Sequence, residues 1–205
     1  MRSIYKIVVC SLLTLSITSC EKDLLEKEQY QKEIYLIGAY NRVWTTEVSY
    51  SNEEVKTYFT VSSSGTLALD RDVNVKMKIN EELVDIYNKK YWTVLNEDKY
   101  YKSLDTDLYS IPSLENTVIK HAEGISAEVP VLIKTASLKI DQSYVIPVEI
   151  ESTTGYPISE SGYKMLILLK LKNDYSGSYQ MSGHTTLEGE TPKTIQKPKT
   201  IKPTG

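Results

Sequence analysis

Residues 73–79, VNVKMKI, carry the clearest structural signal in this chain. Four apolar residues alternate with Asn74, Lys76 and Lys78, so the apolar side chains would share one face of an extended strand. A period of two is the pattern of a strand with one buried and one solvated face. This stretch therefore predicts a strand packed on one side against a core.

The same alternation recurs on both sides of this stretch, at 55–61 (VKTYFTV), 144–150 (YVIPVEI) and 164–172 (KMLILLKLK). Asn80 offers a helix cap, and Leu83, Ile86 and Tyr87 follow at helical spacing, which predicts one short helix. Seven or so strands over about 140 residues without βαβ alternation favour an all-β, antiparallel two-sheet sandwich.

Two prolines fall inside predicted strands. Pro130 and Pro147 cannot donate to a strand ladder, so we expect edge positions or bulges in those two strands.

The first 19 residues have the order of parts found in a secretory signal. Arg2 and Lys6 precede an apolar run at 7–17, which is shorter than the roughly 20 residues a spanning helix needs. The run ends at Ile17-Thr18-Ser19-Cys20, which resembles the bacterial lipobox. We expect a lipoprotein signal peptide over 1–19 and an acylated Cys20. The alternative is an ordinary secreted protein in which Cys20 has no such role.

The lipobox hypothesis sets the expected location and partner. A protein acylated at Cys20 would be anchored in the outer membrane and would face the cell surface, with the membrane as its partner. Residues 20–33 would form a charged tether and residues 34–172 the sandwich domain. Residues 173–205 would start a truncated second domain and end in a disordered tail rich in Pro, Thr and Lys.

Composition and motifs argue against several functions. The formal net charge of −3 indicates no basic patch for nucleic acid. His121 and His184 have no second ligand at zinc spacing, so we expect no metal site and no cofactor. Phosphate loops, nucleophile elbows and zinc-protease motifs are absent from the sequence, which predicts a protein that is not an enzyme.

Aromatic residues are the candidates for ligand binding. The chain has 16 Tyr and two Trp against one Phe. Trp92, Tyr100, Tyr101 and Trp44 could stack on sugar rings and bind a polysaccharide or surface glycan. The alternative is that these rings pack loops against the sandwich, because Tyr suits half-buried strand faces equally well.

Several segments recur in the order found in a known family. They are LLEKEQYQKEIYLIG, VNVKMKINEELVDIYN, YYKSLDTDLYSIPS and AEVPVLIKTASLKIDQSYVIPVEIES. Over residues 24–172 the chain resembles the N-terminal domain of unknown function, family 1735, of Bacteroidetes surface lipoproteins. The resemblance implies an immunoglobulin-like sandwich module ahead of a second domain. In some relatives the second domain is endoglycosidase-like or lectin-like, and in others it is an uncharacterised module. The segment YSGSYQMSG looks like the start of such a second domain.

Three hypotheses about function follow from these patterns. The first is a non-catalytic, lipid-anchored cell-surface module that spaces or presents a distal domain in glycan capture or processing. The second is direct carbohydrate binding through the loop aromatics. The third is the N-terminal fragment of a surface endoglycosidase.

Overall fold

The computed structural model describes residues 27–173, 175–186, 191 and 193–201. In chain order the strands and the helix are β1 (Ile34–Leu36), β2 (Val43–Ser49), β3 (Glu54–Ser63), β4 (Val73–Ile79), α1 (Glu82–Tyr91), β5 (Lys102–Ser103), β6 (Tyr109–Ser110), β7 (Thr117–Ile119), β8 (Ser126–Lys134), β9 (Tyr144–Thr153), β10 (Lys164–Lys172), β11 (Gly177–Thr185) and β12 (Lys193–Ile201). Short 3₁₀ turns cover Ala39–Asn41, Val94–Lys99 and Thr106–Leu108. The predicted signal peptide over 1–19 and the predicted acylation of Cys20 lie outside the described residues.

The first ten strands form two sheets. One has the order β1-β3-β8-β6, and the other has the order β2-β10-β9-β4-β7 with β5 beside the start of β9. Neighbouring strands are antiparallel except β2 beside β10 and β5 beside β9, which are parallel. These orders correspond to the A-B-E-D and G-F-C sheets of an immunoglobulin sandwich. The prediction of an all-β, immunoglobulin-like two-sheet sandwich with one short helical insert is confirmed.

The strand alternation places the core between the two sheets. Val73, Val75 and Met77 of β4 are fully buried, while Asn74 and Lys76 between them and Lys78 after them are exposed. Each such side chain contributes about 1.5–3 kcal/mol relative to an exposed one. The same core holds buried residues of the other long strands, Phe59, Val61, Val129, Val131, Ile133, Ile146, Val148, Met165, Ile167 and Leu169.

The two strand prolines have different surroundings. Pro130 pairs with Tyr58 of β3, and its other side is a sheet edge because β6 reaches only Leu132 and Ile133. Pro147 lies in β9, which is central, so an edge position there is wrong. The bulge in β9 falls later, where β4 shifts register between Lys76 and Met77.

Pro147 fits a central strand because β4 ends opposite it. Asn80, the first residue after β4, donates its N–H to the Pro147 carbonyl at 3.0 Å, and the chain then turns into α1. The ladder therefore needs no proline N–H at this point.

Helix α1 begins where the sequence predicts. The Asn80 side chain accepts the N–H of Glu82 at 3.2 Å, as a cap does. Leu83 and Val84 are buried, but Ile86 is 53% exposed, so the buried face of α1 is the one that carries Leu83 and Val84. Within the described residues, no helix has the length and apolar character needed to cross a membrane.

The described part of the predicted tether is bound to the sandwich. The Glu28 carboxylate forms an ion pair with Lys32 and accepts the N–H groups of Thr66 and Leu67 in the β3–β4 loop. Lys32 also donates to the carbonyl of Leu67. The hydrogen bond from Lys32, with those from the loop, lowers the pKa of Glu28 to about 2.

The segment after the sandwich forms a hairpin. All nine residues of β11 pair with β12, so the prediction that the Pro/Thr/Lys-rich tail is disordered is wrong for Lys193–Ile201. Thr and Ile favour strands, and Pro198 fits because each strand of a two-stranded ribbon is an edge. Nearly every side chain of the hairpin is exposed.

A buried side chain beneath α1 gives a test of this architecture. We expect Leu166→Ala to lower the free energy of unfolding by about 2–4 kcal/mol, because it leaves a cavity between β10 and α1. Leu166 is 2% exposed, whereas the control residue Leu95 is 93% exposed. Leu95→Ala should change stability by less than about 0.5 kcal/mol. Urea denaturation measures both, and equal effects would contradict the buried outer face.

Candidate functional site

A second, smaller hydrophobic cluster fixes α1 on the outside of the sandwich. Leu83 and Val84 of α1 pack against Val145 of β9 and Leu166 of β10. These two strands are therefore buried on both faces, which explains why the centre of KMLILLKLK is apolar throughout. The cluster determines which face of the molecule carries the aromatic residues of α1.

Asn88 ties the segment after the helix to α1. This residue is 5% exposed, and its amide group makes two hydrogen bonds to the backbone of Tyr101. Nδ2 donates to the Tyr101 carbonyl at 2.9 Å, and Oδ1 accepts the Tyr101 N–H at 3.0 Å. The pair resembles one rung of a β-ladder and sets the position of the Tyr101 ring.

Three tyrosines, Tyr91, Tyr87 and Tyr101, form a row that we call the tyrosine stack. The Tyr87 ring centroid lies 5.2 Å from that of Tyr101 with the planes 11° apart, and 4.5 Å from that of Tyr91 with the planes 34° apart. Tyr91 is 49% exposed and forms the outer end, with the Lys90 ammonium 5.4 Å from its ring centroid. Burial raises the pKa of the Tyr87 phenol, and the neighbouring Tyr101 adds to the rise, so the central ring of the stack stays uncharged.

A small pocket adjoins the tyrosine stack at Tyr87. Its volume is about 50 Å³, and Leu83, Ile86 and Tyr87 form the wall on the α1 side. Arg42 and Lys164 bring positive charge to its rim, and Met165 and Leu166 of β10 complete it.

The backbone of Arg42 is fixed in an unusual conformation. Its φ of 62° makes it the one described non-glycine residue with a positive φ, which side chains rarely adopt. Arg42 donates its N–H to the Ala39 carbonyl at 2.8 Å and accepts the N–H of Leu166 at 2.8 Å. Both bonds hold this residue beside β10, at the pocket.

Three of the four predicted aromatic residues lie in one segment of the chain, between the end of α1 and Tyr101. Tyr101 belongs to the tyrosine stack, and Trp92 and Tyr100 are half-buried in the segment between α1 and Tyr101. The Trp92 indole N–H is buried with no hydrogen-bond partner in the described part of the chain, and Lys99 lies over the ring at 5.7 Å. Trp92 is thus better suited to packing than to stacking on a ligand.

Trp44 lies apart from the other three. The neighbouring Val43 packs on the cluster under α1, and successive side chains of a strand point to opposite faces. Trp44 therefore faces away from the tyrosine stack, and its ring covers Gly38, where an added Cβ would come within 2.6 Å of it. The φ of 91° at Gly38 suits glycine for the same turn.

Apart from Trp44, the aromatic candidates in the sequence came from residues 89–109, which include Tyr91 but not Tyr87, so the pairing of Tyr87 with Tyr91 was missed. Their spacing of four in a helix places the two rings on one face, and that signal was available. The side chains that line the stack and the pocket are aromatic, aliphatic and cationic. Such groups bind a ligand but do not supply the paired carboxylates of glycoside hydrolysis.

Two family models match the chain. One, described as an N-terminal domain, matches residues 30–157, and the other, described as a C-terminal domain, matches residues 163–205. The fold and the site define a β-sandwich module with an exposed aromatic surface. The chain belongs to the family of N-terminal domains of unknown function numbered 1735, as the resemblance in the sequence predicts. Strand β10 lies within the match to the C-terminal model, although it hydrogen-bonds into the sandwich.

Three solved structures from Bacteroides ovatus are among those with the same fold. A protein of unknown function matches with a TM-score of 0.61 and 20% identity, over 83% of this chain and 57% of that one. A multidomain protein including DUF1735 matches with a TM-score of 0.54 and 21% identity, over 78% and 51%. A candidate carbohydrate-binding protein matches with a TM-score of 0.53 and 17% identity, over 77% and 43%.

At these identities the likeness shows the fold alone. The chain spans about half the length of these structures, between 43% and 57%. No curated protein matches the chain significantly.

The hydrogen bonds of Asn88 give a test of how the tyrosine stack is built. We expect Asn88→Ala to lower the free energy of unfolding by about 1–3 kcal/mol, because the Tyr101 backbone loses both partners. Tyr101 should also separate from Tyr87, which near-ultraviolet circular dichroism of the tyrosines would report. The control Asn116→Ala alters an exposed side chain and should change neither quantity. An unchanged tyrosine spectrum in Asn88→Ala would contradict the positioning role.

Proposed function

We propose that this protein is a non-catalytic module that contributes to glycan capture at the bacterial surface and binds polysaccharide through the tyrosine stack. The observation that carries the proposal is the row of Tyr91, Tyr87 and Tyr101, half exposed at its outer end and held by Asn88. Rings of this kind present flat apolar faces to sugar C–H groups and phenol groups to sugar hydroxyls.

The names of some fold relatives are consistent with glycan binding, although the likeness to them is one of fold. One fold relative is a candidate carbohydrate-binding protein, and that description belongs to that protein. In this chain, ligand recognition would come from residues of α1 and the segment that follows it. Such binding needs no covalent chemistry and no cofactor, in keeping with the absence of catalytic motifs from the sequence.

A second candidate function is that the module spaces or presents a distal domain. The match of residues 163–205 to a C-terminal domain model favours it, because the part of that match described after β10 is the exposed β11–β12 hairpin, outside the sandwich. An endoglycosidase activity would have to come from residues outside the sandwich.

Membrane attachment through Cys20 is the other part of the proposal. The order of positive residues, apolar run and lipobox in 1–20 supports acylation of Cys20 in the outer membrane, with the module facing the cell surface. The bound segment at 27–33 would then lie on the membrane side of the sandwich.

Polysaccharide binding is tested with the full chain in detergent. We expect saturable binding to at least one member of a panel of neutral and acidic polysaccharides, measured by affinity electrophoresis and calorimetry. Tyr91→Ala should weaken that binding at least about fivefold, since stacking of a ligand ring on one aromatic side chain contributes roughly 1–3 kcal/mol. Tyr58→Ala is the matched control, because Tyr58 is 43% exposed and lies on the other sheet.

The outcomes separate the two candidate functions. Binding that survives Tyr91→Ala, with unchanged circular dichroism, contradicts a role for the tyrosine stack. A folded wild-type chain that binds no member of the panel leaves the spacer function as the better account.

Lipidation is tested by metabolic labelling in the bacterium. The wild-type chain should incorporate an alkyne fatty acid and fractionate with the outer membrane, and Cys20→Ser should lose the label and leave the membrane. Cys10→Ser is the control, because Cys10 lies inside the apolar run that would be removed. Label retained by Cys20→Ser would show that Cys20 is not the acylated residue. Protease added to intact cells then tests whether the module faces outward.

A further inference from the structure

We propose that the pocket beside the tyrosine stack binds an anionic substituent of the glycan, a uronate carboxylate or a sulfate ester, between Arg42 and Lys164. The inference rests on the proposed function, because the stack would hold the sugar ring to which the substituent is attached. The tyrosine stack alone would bind sugar rings without regard to their charge. The pocket would make acidic polysaccharides the preferred class of ligand.

The size of the pocket limits what can enter it. A volume of about 50 Å³ is far below the 300–1,000 Å³ of pockets that enclose whole small molecules. It has room for one small group or a few waters. A substituent can therefore enter the pocket while its sugar ring stays outside, against Tyr87 and Tyr91.

The charge around the pocket favours an anion. Arg42 and Lys164 are the charged residues that line it. Within the described part of the chain, neither side chain forms an ion pair. The other lysines of β10 differ in this respect, because Lys170 and Lys172 both pair with Glu47.

The carboxylate closest in the sheet to Lys164 is engaged elsewhere. Glu149 is the cross-strand partner of Lys164 on β9. Its carboxylate accepts a hydrogen bond from Asn80 Nδ2 at 2.6 Å and lies 3.8 Å from the Lys78 ammonium. Glu149 therefore leaves Lys164 available to an external anion.

The Lys164 ammonium makes one weak contact, which it would lose on binding an anion. Its ammonium lies 4.8 Å from the ring centroid of Tyr163. A half-exposed cation–π contact is weak beside a charge-assisted hydrogen bond to a carboxylate or a sulfate. The Arg42 guanidinium can bind either anion with two parallel N–H groups, and its backbone is already fixed by Ala39 and Leu166.

The test compares matched acidic and neutral polymers on the full chain in detergent. The carboxylate arm uses polygalacturonate and its carboxyl-reduced form, and the sulfate arm uses dextran sulfate and unmodified dextran. We expect at least a tenfold preference for the acidic polymer in one arm, and that arm identifies the substituent. Lys164→Gln and Arg42→Gln should each remove most of the preference and leave binding of the neutral polymer unchanged.

Two further variants separate the pocket from general charge attraction and from misfolding. Lys164→Arg keeps the charge and should keep the preference. Lys139→Gln removes an exposed charge away from the pocket and should leave the preference unchanged. An equal loss in Lys139→Gln and Lys164→Gln would overturn the inference, because the attraction would then be a property of the whole surface.

The remaining outcomes distinguish the inference from the proposed function. Acidic and neutral polymers bound equally, with sensitivity to Tyr91→Ala, would overturn the anion pocket and keep the tyrosine stack as a glycan site. Binding of acidic polymer that depends on Lys164 but survives Tyr91→Ala would keep the pocket and reject the stack. Failure of every polymer to bind a folded chain would overturn both.

Discussion

The constraint on which the surface of this protein depends is the burial of β9 and β10 on both faces. Their inner faces belong to the sandwich core, and Val145 and Leu166 on the outer face need a second cover. Helix α1 supplies it, and the cost of leaving those side chains in water would be about 1.5–3 kcal/mol each. Once α1 lies there, Asn88 fixes the returning segment and Tyr101 meets Tyr87. The candidate ligand surface is thus a consequence of how the sheet is covered.

Strand identity could be predicted from the sequence because alternation is local. VNVKMKI and its counterparts place their buried residues correctly, and the two-sided apolar run at 164–172 indicates that β10 has a cover. Which element covers it could not be predicted, because contact between Leu166 and Leu83 joins residues far apart in the chain. Helical spacing in the sequence also does not show which side of α1 is buried. The contact with the sheet buries Leu83 and Val84 and leaves Ile86 exposed.

The candidate site could be predicted only in part for a similar reason. Aromatic content pointed to the segment after α1, where Tyr101 does join the stack, but exposure depends on tertiary contacts. Trp44 was a candidate by residue type alone, yet its place on β2 turns it toward Gly38. The charge that the lysines of β10 present to solvent also depends on tertiary contacts. Glu47 of β2 neutralises two of them, and Lys164 lies beyond its reach, so the sheet register decides where positive charge remains.

The contact of Glu28 with the β3–β4 loop limits how far the sandwich can lie from an acylated Cys20. The hydrogen bonds of Lys32 to Leu67, of Glu33 to Ser64 and of Ser64 to Gln31 add to this attachment without using the Glu28 charge. Because the loop holds Glu28, the chain length from Cys20 to Glu28 sets the greatest distance between an acylated Cys20 and the sandwich. Eight residues in the most extended backbone reach at most about 30 Å. An acylated protein would therefore keep its sandwich within roughly one domain diameter of the lipid, and a polymer would have to approach the bilayer closely to be bound.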